Sequence, residues 1–126
     1  MQQYTSDRRK NRSANAYVAL GYQLMSSAQR AKFDVLVLAD QQGLVVAQTG
    51  DTALGEEVAA LSPILSANSK SWYGFIDTQK GKARLTVEPL QIQGRQLYLT
   101  ASEGASAALI SQEMQMSQNG IHRILH

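Results

Sequence analysis

The sequence predicts an α/β protein of the α+β sandwich type, a five-stranded, mainly antiparallel sheet flanked by three helices. Two observations predict it. Apolar residues recur at helical spacing in three segments, and five short segments rich in Val, Leu and aromatic residues are bounded by turn residues. In chain order these segments are α-β-β-α-β-β-β-α. The length of 126 residues suits one domain, without an internal repeat.

Composition excludes several classes of protein. Hydrophobic residues make up 44% and charged residues 17% of the chain, which is typical of a folded domain. The absence of cysteine excludes disulfides, thiolate chemistry and Cys-based metal sites. The apolar runs are far shorter than the roughly 20 residues that span a bilayer, and the N-terminus lacks the apolar segment of a secretory signal. A cytoplasmic protein is the default expectation.

The net charge of +2 is unevenly distributed. Residues 1–12 hold four basic side chains against one acidic, a net +3, whereas the rest of the chain holds eight basic and nine acidic, a net −1. The basic character is therefore a property of the N-terminus. We expect a flexible basic arm over 1–12, a folded domain over 13–118 and a C-terminal tail over 119–126.

The first helix and hairpin are predicted over the first third of the chain. Ser13 is a candidate N-cap for a helix ending near Ala31, whose apolar face is Tyr17, Leu20, Leu24 and Ala28. Two strands follow, over 33–39 and 44–47, and Gly43 supplies the positive φ of the loop between them. Because both strands are apolar throughout, we expect both to lie centrally in a sheet covered on its two faces.

A second helix follows the break at Gly50. Asp51 or Thr52 would cap it, and Glu56 and Glu57 would lie near the positive end of its dipole. Its apolar stripe is Leu54, Val58, Leu61 and Leu65, with Ile64 alongside. Pro63 interrupts this pattern, so it either kinks the helix or begins a new turn behind Ser62.

The remaining chain predicts three strands and a helix. Residues 71–77 are aromatic and β-branched, which favours a strand over a continuation of the helix. Alternating residues over 84–90 and 97–99 predict two more strands, separated by a tight loop at Gly94. The last helix contains Ala107, Ile110 and Met114, and Asn119-Gly120 predicts its end.

The sequence carries no sign of catalysis. His122 and His126, its only histidines, lie in the predicted tail, which disfavours a Ser-His-Asp triad or a histidine metal site. No pair of carboxylates has a context for general acid–base work. The phosphate-binding pattern Gly-x-x-x-x-Gly-Lys is absent, so the chain is not itself a GTPase by this test. We therefore predict a non-enzymatic protein with no catalytic residue, cofactor or metal.

Two clusters of basic residues are candidate binding sites. The first, Arg8, Arg9, Lys10 and Arg12, could contact nucleic acid or an anionic membrane, but it is short and lacks interleaved aromatic residues. We therefore interpret the cluster as part of a solvated arm. If the chain contacts nucleic acid or an anionic membrane, we expect it to do so only through this cluster. The second, Lys80, Lys82 and Arg84, is typical of strands that resist aggregation.

Three segments carry a resemblance to a known family. They are the strand–D-x-x-G–strand unit over 35–47, the helix over 56–65 and the hairpin segment over 80–90. Together with the element order, they resemble the roadblock/dynein light-chain domain family, which includes bacterial and archaeal activators of small GTPases. The resemblance covers about 14–117, and the basic arm and the segment after Gly120 fall outside it.

The resemblance implies a dimer. In the family the third strand lies at the sheet edge and pairs with its copy, and the second helices of the two subunits pack side by side. The residues alone leave two alternatives for the aromatic strand. If it lies in the centre of the sheet, its side chains belong to the core, and if it lies at the edge, they form an interface. The implied interface of a homodimer, or of a heterodimer with a paralogue, is Leu54, Val58, Leu61, Leu65, Trp72, Tyr73, Phe75 and Ile76.

The resemblance also implies a partner, a small Ras-like GTPase that the dimer regulates or scaffolds. Glu56, Glu57 and Ala60 are the candidate contacts on the outer side of the second helix. Bacterial activators of the family insert no arginine finger, so none of Arg30, Arg84 and Arg95 is expected to be catalytic. The alternative is a PAS- or profilin-like domain that binds a small ligand or another protein, which a monomer with a deep apolar cavity would favour.

Overall fold

A computed structural model describes the backbone from Gln2 to His126 and the side chains from Ala14 onwards. It confirms the predicted fold class and element order. The elements are α1 (Gln2–Ala31), β1 (Phe33–Asp40), β2 (Val45–Gly50), α2 (Thr52–Leu65), a single 3₁₀ turn (Ala67–Ser69), β3 (Trp72–Thr78), β4 (Gly81–Ile92), β5 (Arg95–Glu103) and α3 (Ala107–Leu125).

The five strands form one antiparallel sheet in the order β2-β1-β5-β4-β3. The first strand is central, as expected, but the expectation that β2 is also central is wrong. Both α1 and α2 pack against this edge strand, one on each face. Strand β2 is therefore apolar because a helix buries each of its two faces, and not because it lies between two other strands.

The sheet separates two hydrophobic cores. Leu36 and Leu38 point to the face covered by α1 and α3, where they meet Leu20, Leu24 and Ile121. The alternate residues of β1 point to the opposite face and pack under α2. Because successive side chains of a strand project to opposite faces, a strand that serves two cores is apolar throughout.

Tight turns fix the register of the hairpins. Gly43 adopts φ 81° in the β1–β2 loop, as predicted. Gln93 and Gly94 both have positive φ, 53° and 78°, between the paired residues Ile92 and Arg95. Two consecutive positive φ values are the signature of the two-residue turn whose twist matches that of a β-hairpin.

Helix α1 extends further towards the N-terminus than the predicted start at Ser13. Ser13 as a cap, and the basic residues of the predicted arm over 1–12, lie outside the described side chains.

Helix α3 continues through the predicted stop at Asn119-Gly120, so the tail over 119–126 is instead the last part of this helix. Ile121 is fully buried, and Ile124 and Leu125 pack against the core. A methyl group at Gly120 would run into the side chain of Gln23 on α1. The glycine therefore allows two helices to approach closely and does not end one.

Helix α2 begins at Asp51 and runs unbroken through Pro63. Its buried face is not the predicted stripe. Leu54 and Val58 belong to it, but it continues through Ser62, while Leu61 and Leu65 are only half-buried. The Ser62 hydroxyl donates to the Val58 carbonyl (2.7 Å) and is hydrogen-bonded to Thr100 on β5 (2.6 Å), which fastens the helix to the sheet.

Candidate protein interface

The outer edge of β3 is the most distinctive surface of the described chain. This strand ends the sheet and pairs only with β4 within it. Trp72 and Ile76 point towards α2 and are half-buried, whereas Tyr73 and Phe75 point to the other face and are 60% and 63% exposed. An apolar, aromatic edge strand with free backbone groups is a template for pairing with another strand.

Helix α2 leaves room beside this strand. It packs mainly on β1, β2 and β5 and contacts β3 little. The side of α2 that faces β3 is marked by Glu57, whose carboxylate accepts a hydrogen bond from the backbone N–H of Gln79 in the β3–β4 turn (3.3 Å). Leu61 and Ile64 follow Glu57 at helical spacing on this side, and Ile64 is 70% exposed.

Burial divides the predicted interface residues into two groups. Val58 has no exposed surface and Leu54 has 8%, so both belong to the protomer's own core and are not available to a partner. The other six, on α2 and β3, border the free edge of the sheet and keep exposed area: Leu61, Leu65, Trp72, Tyr73, Phe75 and Ile76. Ile64 is not among the predicted residues although it is exposed on the same flank, because periodicity does not separate the core side of a helix from an apolar flank beside it.

Two of the three candidate GTPase contacts lie on the outer side of α2, and the third, Glu57, lies on the side that faces β3. Glu56 and Ala60 are exposed, while Glu57 is half-buried by its bond to the β3–β4 turn. The β1–β2 loop packs against the helix here, so that a side chain at Gly43 would lie 2.9 Å from the Ala60 Cα. The loop backbone therefore lies close to the helix backbone beside Ala60, and Glu56 and Glu57 make this part of α2 acidic.

Asp51 ties α2 to the β3–β4 hairpin. Its carboxylate accepts a hydrogen bond from the Leu54 N–H (3.0 Å) as the helix N-cap, and it forms an ion pair with Lys80. The bond from Leu54, and after it the bond from Lys80, lowers the pKa of Asp51. One carboxylate therefore fixes the position of the helix relative to the strand beside it.

An ion pair between a half-exposed arginine and a buried glutamate links the two helices of the opposite layer. Arg30 on α1 donates to Glu113 on α3 (3.0 Å), and the Glu113 side chain is 1% exposed. The hydrogen bond to Glu113 raises the pKa of Arg30. Nearby, the hydroxyls of Ser27 and Ser117 are bonded across the same helix pair (2.7 Å). The sequence did not indicate these polar contacts between α1 and α3, because a lone Glu in a helix is usually solvated.

Two further arginines, Arg84 and Arg95, lie elsewhere on the described chain. Arg84 donates from Nη2 to the Gly104 carbonyl (2.7 Å), where it ties β4 to the segment after β5. Arg95 lines a surface groove of about 430 Å³ between α1 and two hairpin turns, together with Tyr17, Leu44 and Asp40. This groove opens at the surface with a mixed lining, unlike the deep apolar cavity that the small-ligand alternative would need.

His122 and His126 are exposed at the end of α3. Across the described chain, no three His, Cys, Asp or Glu side chains are grouped as metal ligands would be. Among the described helices, none has the length and hydrophobicity needed to cross a membrane.

The sequence matches no family model and no curated protein. Solved structures do match the fold. MglB of Myxococcus xanthus superposes with a TM-score of 0.63 at 14% identity, over 86% of this chain and 88% of that one. An MglB structure with a tetrameric arrangement gives 0.60 at 15% identity, over 87% and 90% of the two chains.

A roadblock/LC7 domain from Streptomyces avermitilis is also similar. It superposes with a TM-score of 0.54 at 19% identity, over 79% of this chain and 92% of that one. At these identities the similarity concerns the fold, and it extends over most of each chain. The element order and the antiparallel sheet agree with it. The chain therefore has the roadblock fold.

Proposed function

We propose that the chain is a non-enzymatic interaction module that dimerises through β3 and α2 and presents its paired α2 helices to a small Ras-like GTPase. The observation that carries the proposal is the free β3 edge with its exposed Tyr73 and Phe75. Pairing with the same strand of a second copy satisfies the free backbone groups and covers the aromatic side chains.

The flank of α2 supports the same arrangement. When two β3 strands pair in one continuous sheet, the α2 helices of both copies lie on one face of that sheet and next to each other. Leu61 and Ile64 are placed on the side of α2 that would meet the second helix. Burying an exposed Ile or Leu side chain stabilises an association by roughly 1.5–3 kcal/mol before entropic costs.

The GTPase part of the proposal rests on the fold and on the outer side of α2. The roadblock family includes bacterial activators of small GTPases, and MglB shares this fold. Glu56, Glu57 and Ala60 form an acidic patch that suits a partner with a basic surface. Because the dimer would place the patches of both copies on one face, the two patches would form a single binding site. Regulation would act by ordering the partner's own loops around the phosphate, without an arginine from this chain.

Binding to candidate GTPases tests this function. Ras-like GTPases from the same organism, loaded with GDP or with a non-hydrolysable GTP analogue, are titrated with the chain by calorimetry. We expect one of them to bind in a nucleotide-dependent manner. Glu57→Arg and Ala60→Arg should each weaken binding at least about tenfold, because they place an unpaired charge in the contact.

Two controls make the result specific. Gln112→Arg adds the same charge as Ala60→Arg to an exposed site on α3 and should leave binding unchanged. The mass of each variant shows whether the dimer is intact. If every GTPase fails to bind in both nucleotide states, or if both α2 variants bind like the wild type, the GTPase part of the proposal is wrong.

A further inference from the structure

The outer side of α1 carries an apolar line that the fold does not use. Val18, Tyr22 and Met25 follow the spacing i, i+4, i+7 and are 56%, 63% and 39% exposed. They lie on the side of the helix opposite Leu20 and Leu24, which are fully buried in the core. A helix on the surface of a domain normally carries polar residues on this side.

Helix α3 extends this line into a patch. Met116 is 43% exposed and, together with Tyr22 and Arg123, lines an open groove of about 510 Å³ between the two helices. We define the outer patch as Val18, Tyr22, Met25, Met116, Arg30 and Arg123. Its members are apolar, aromatic or cationic.

Acidic groups are missing from this layer. Residues 14–31 contain no carboxylate side chain, and residues 107–126 contain one, Glu113, which is buried against Arg30. The chain that precedes residue 14 adds the net +3 of residues 1–12. Residues 32–104, by contrast, hold eight acidic and six basic side chains, a net −2. Positive charge is thus concentrated on α1 and its N-terminal end.

We propose that the outer patch binds an anionic lipid bilayer. Tyr and Met side chains insert at the boundary between headgroups and acyl chains, while arginines contact the headgroup phosphates from the rim of the patch. Each basic residue near an anionic membrane adds attraction that salt screens. A bilayer needs no preformed pocket, which suits side chains that stand out from two helices beside an open groove.

The dimer of the proposed function would strengthen this binding, and here the inference rests on that proposal. In a continuous sheet made by two β3 strands, both α1–α3 layers lie on the face opposite α2. Two outer patches would then meet the membrane together, and a second attachment converts weak binding into stable binding. The acidic side of α2 would face away from the bilayer and stay open to a partner.

Flotation with vesicles tests the inference on the full chain. Vesicles of phosphatidylcholine alone are compared with vesicles in which about a third of the lipid is phosphatidylglycerol. We expect binding to the anionic vesicles only, with a marked loss of binding as salt increases. The double variant Val18→Glu, Tyr22→Glu should lose at least about tenfold in affinity, since both side chains are exposed and their replacement leaves the core intact.

Leu44→Glu is the matched control. Leu44 is 64% exposed on the β1–β2 loop, outside the patch, so replacing this apolar side chain by Glu should leave vesicle binding as in the wild type, and the single variant Tyr22→Glu matches it in charge. A wild type that ignores anionic vesicles, or a double variant that binds as well as the control, would overturn the inference. Association of dimers with each other that the double variant abolishes, without vesicle binding, would also overturn it and assign the patch to a second copy of the chain.

The mass of the protein in solution distinguishes a failure of the lipid inference from a failure of the proposed dimer. A dimer that ignores vesicles contradicts the lipid inference alone. A monomer that binds anionic vesicles contradicts the dimer and supports the patch, with weaker binding expected from one patch than from two.

Discussion

Asp51 shows how a single side chain positions the candidate interface. It caps α2 through Leu54 and pairs with Lys80 of the neighbouring turn. The sequence predicted a cap at Asp51 or Thr52, and the structure selects Asp51. The partner on the β3–β4 turn was not predictable, because it lies 29 residues further along the chain and depends on the tertiary fold.

This side chain makes a prediction about pH. Because its hydrogen bonds lower the pKa of Asp51 below the ordinary value of 3.8, the ionised carboxylate stabilises the folded chain above a pH of about 4. The stabilisation is lost as the pH falls through the lowered pKa. Asp51→Asn retains the cap but does not titrate, so its melting temperature should fall less steeply with acid than that of the wild type.

Thermal melts followed by circular dichroism from neutral to acid pH would measure the two slopes. Asp34→Asn, which removes an exposed carboxylate from β1, is measured alongside as the same substitution at a second surface position. Equal slopes for Asp51→Asn and the wild type would show that the carboxylate contributes nothing to acid stability.

At the scale of elements, the sequence pattern predicted which segments form helices and strands well. It predicted where those elements lie in the fold less well. The presence of helix α2 and the hairpin turn at Gly43 were confirmed, whereas the buried face of the helix differs from the predicted stripe. The edge position of β2 was not foreseen, because a strand covered by helices on both faces is as apolar as a central one. Ile64 was likewise left outside the predicted interface, since spacing alone does not show what covers a helix flank.

Gly120 is the clearest case of a residue whose type was informative but whose role was misjudged. Glycine commonly ends a helix, yet here it lies within α3 against Gln23 of α1. The sequence alone does not distinguish these roles, because the contact joins two elements at opposite ends of the chain.

The packing role of Gly120 can be tested by a double-mutant cycle. In a Gln23→Ala background, Gly120→Ala should stabilise the chain by up to about 1 kcal/mol, because alanine favours a helix interior and the obstructing side chain is gone. In the wild-type background the gain should be reduced or reversed, since Gln23 must move. Denaturant unfolding measures both values, and an identical effect in the two backgrounds would contradict close packing at this site.

At the scale of the whole molecule, the sheet separates two unlike surfaces. The α2 side is acidic and borders the free edge of β3, whereas the α1–α3 side is apolar and basic. The concentration of charge near the N-terminus was evident from the sequence. The opposition of the two surfaces was not, because it depends on α1 and α3 packing on the same face of the sheet.

The central claim is that the β3 edge pairs two copies of the chain. Light scattering on a sizing column at tens of micromolar protein tests it most directly, with Phe75→Asp as the variant and Leu44→Asp as the control at a similarly exposed site. We predict twice the 13.8 kDa chain mass for the wild type and the control. Phe75→Asp should shift towards the monomer, because the seam would bury an unpaired charge. A wild type that elutes as a monomer, or a Phe75→Asp variant as dimeric as the control, would contradict the account.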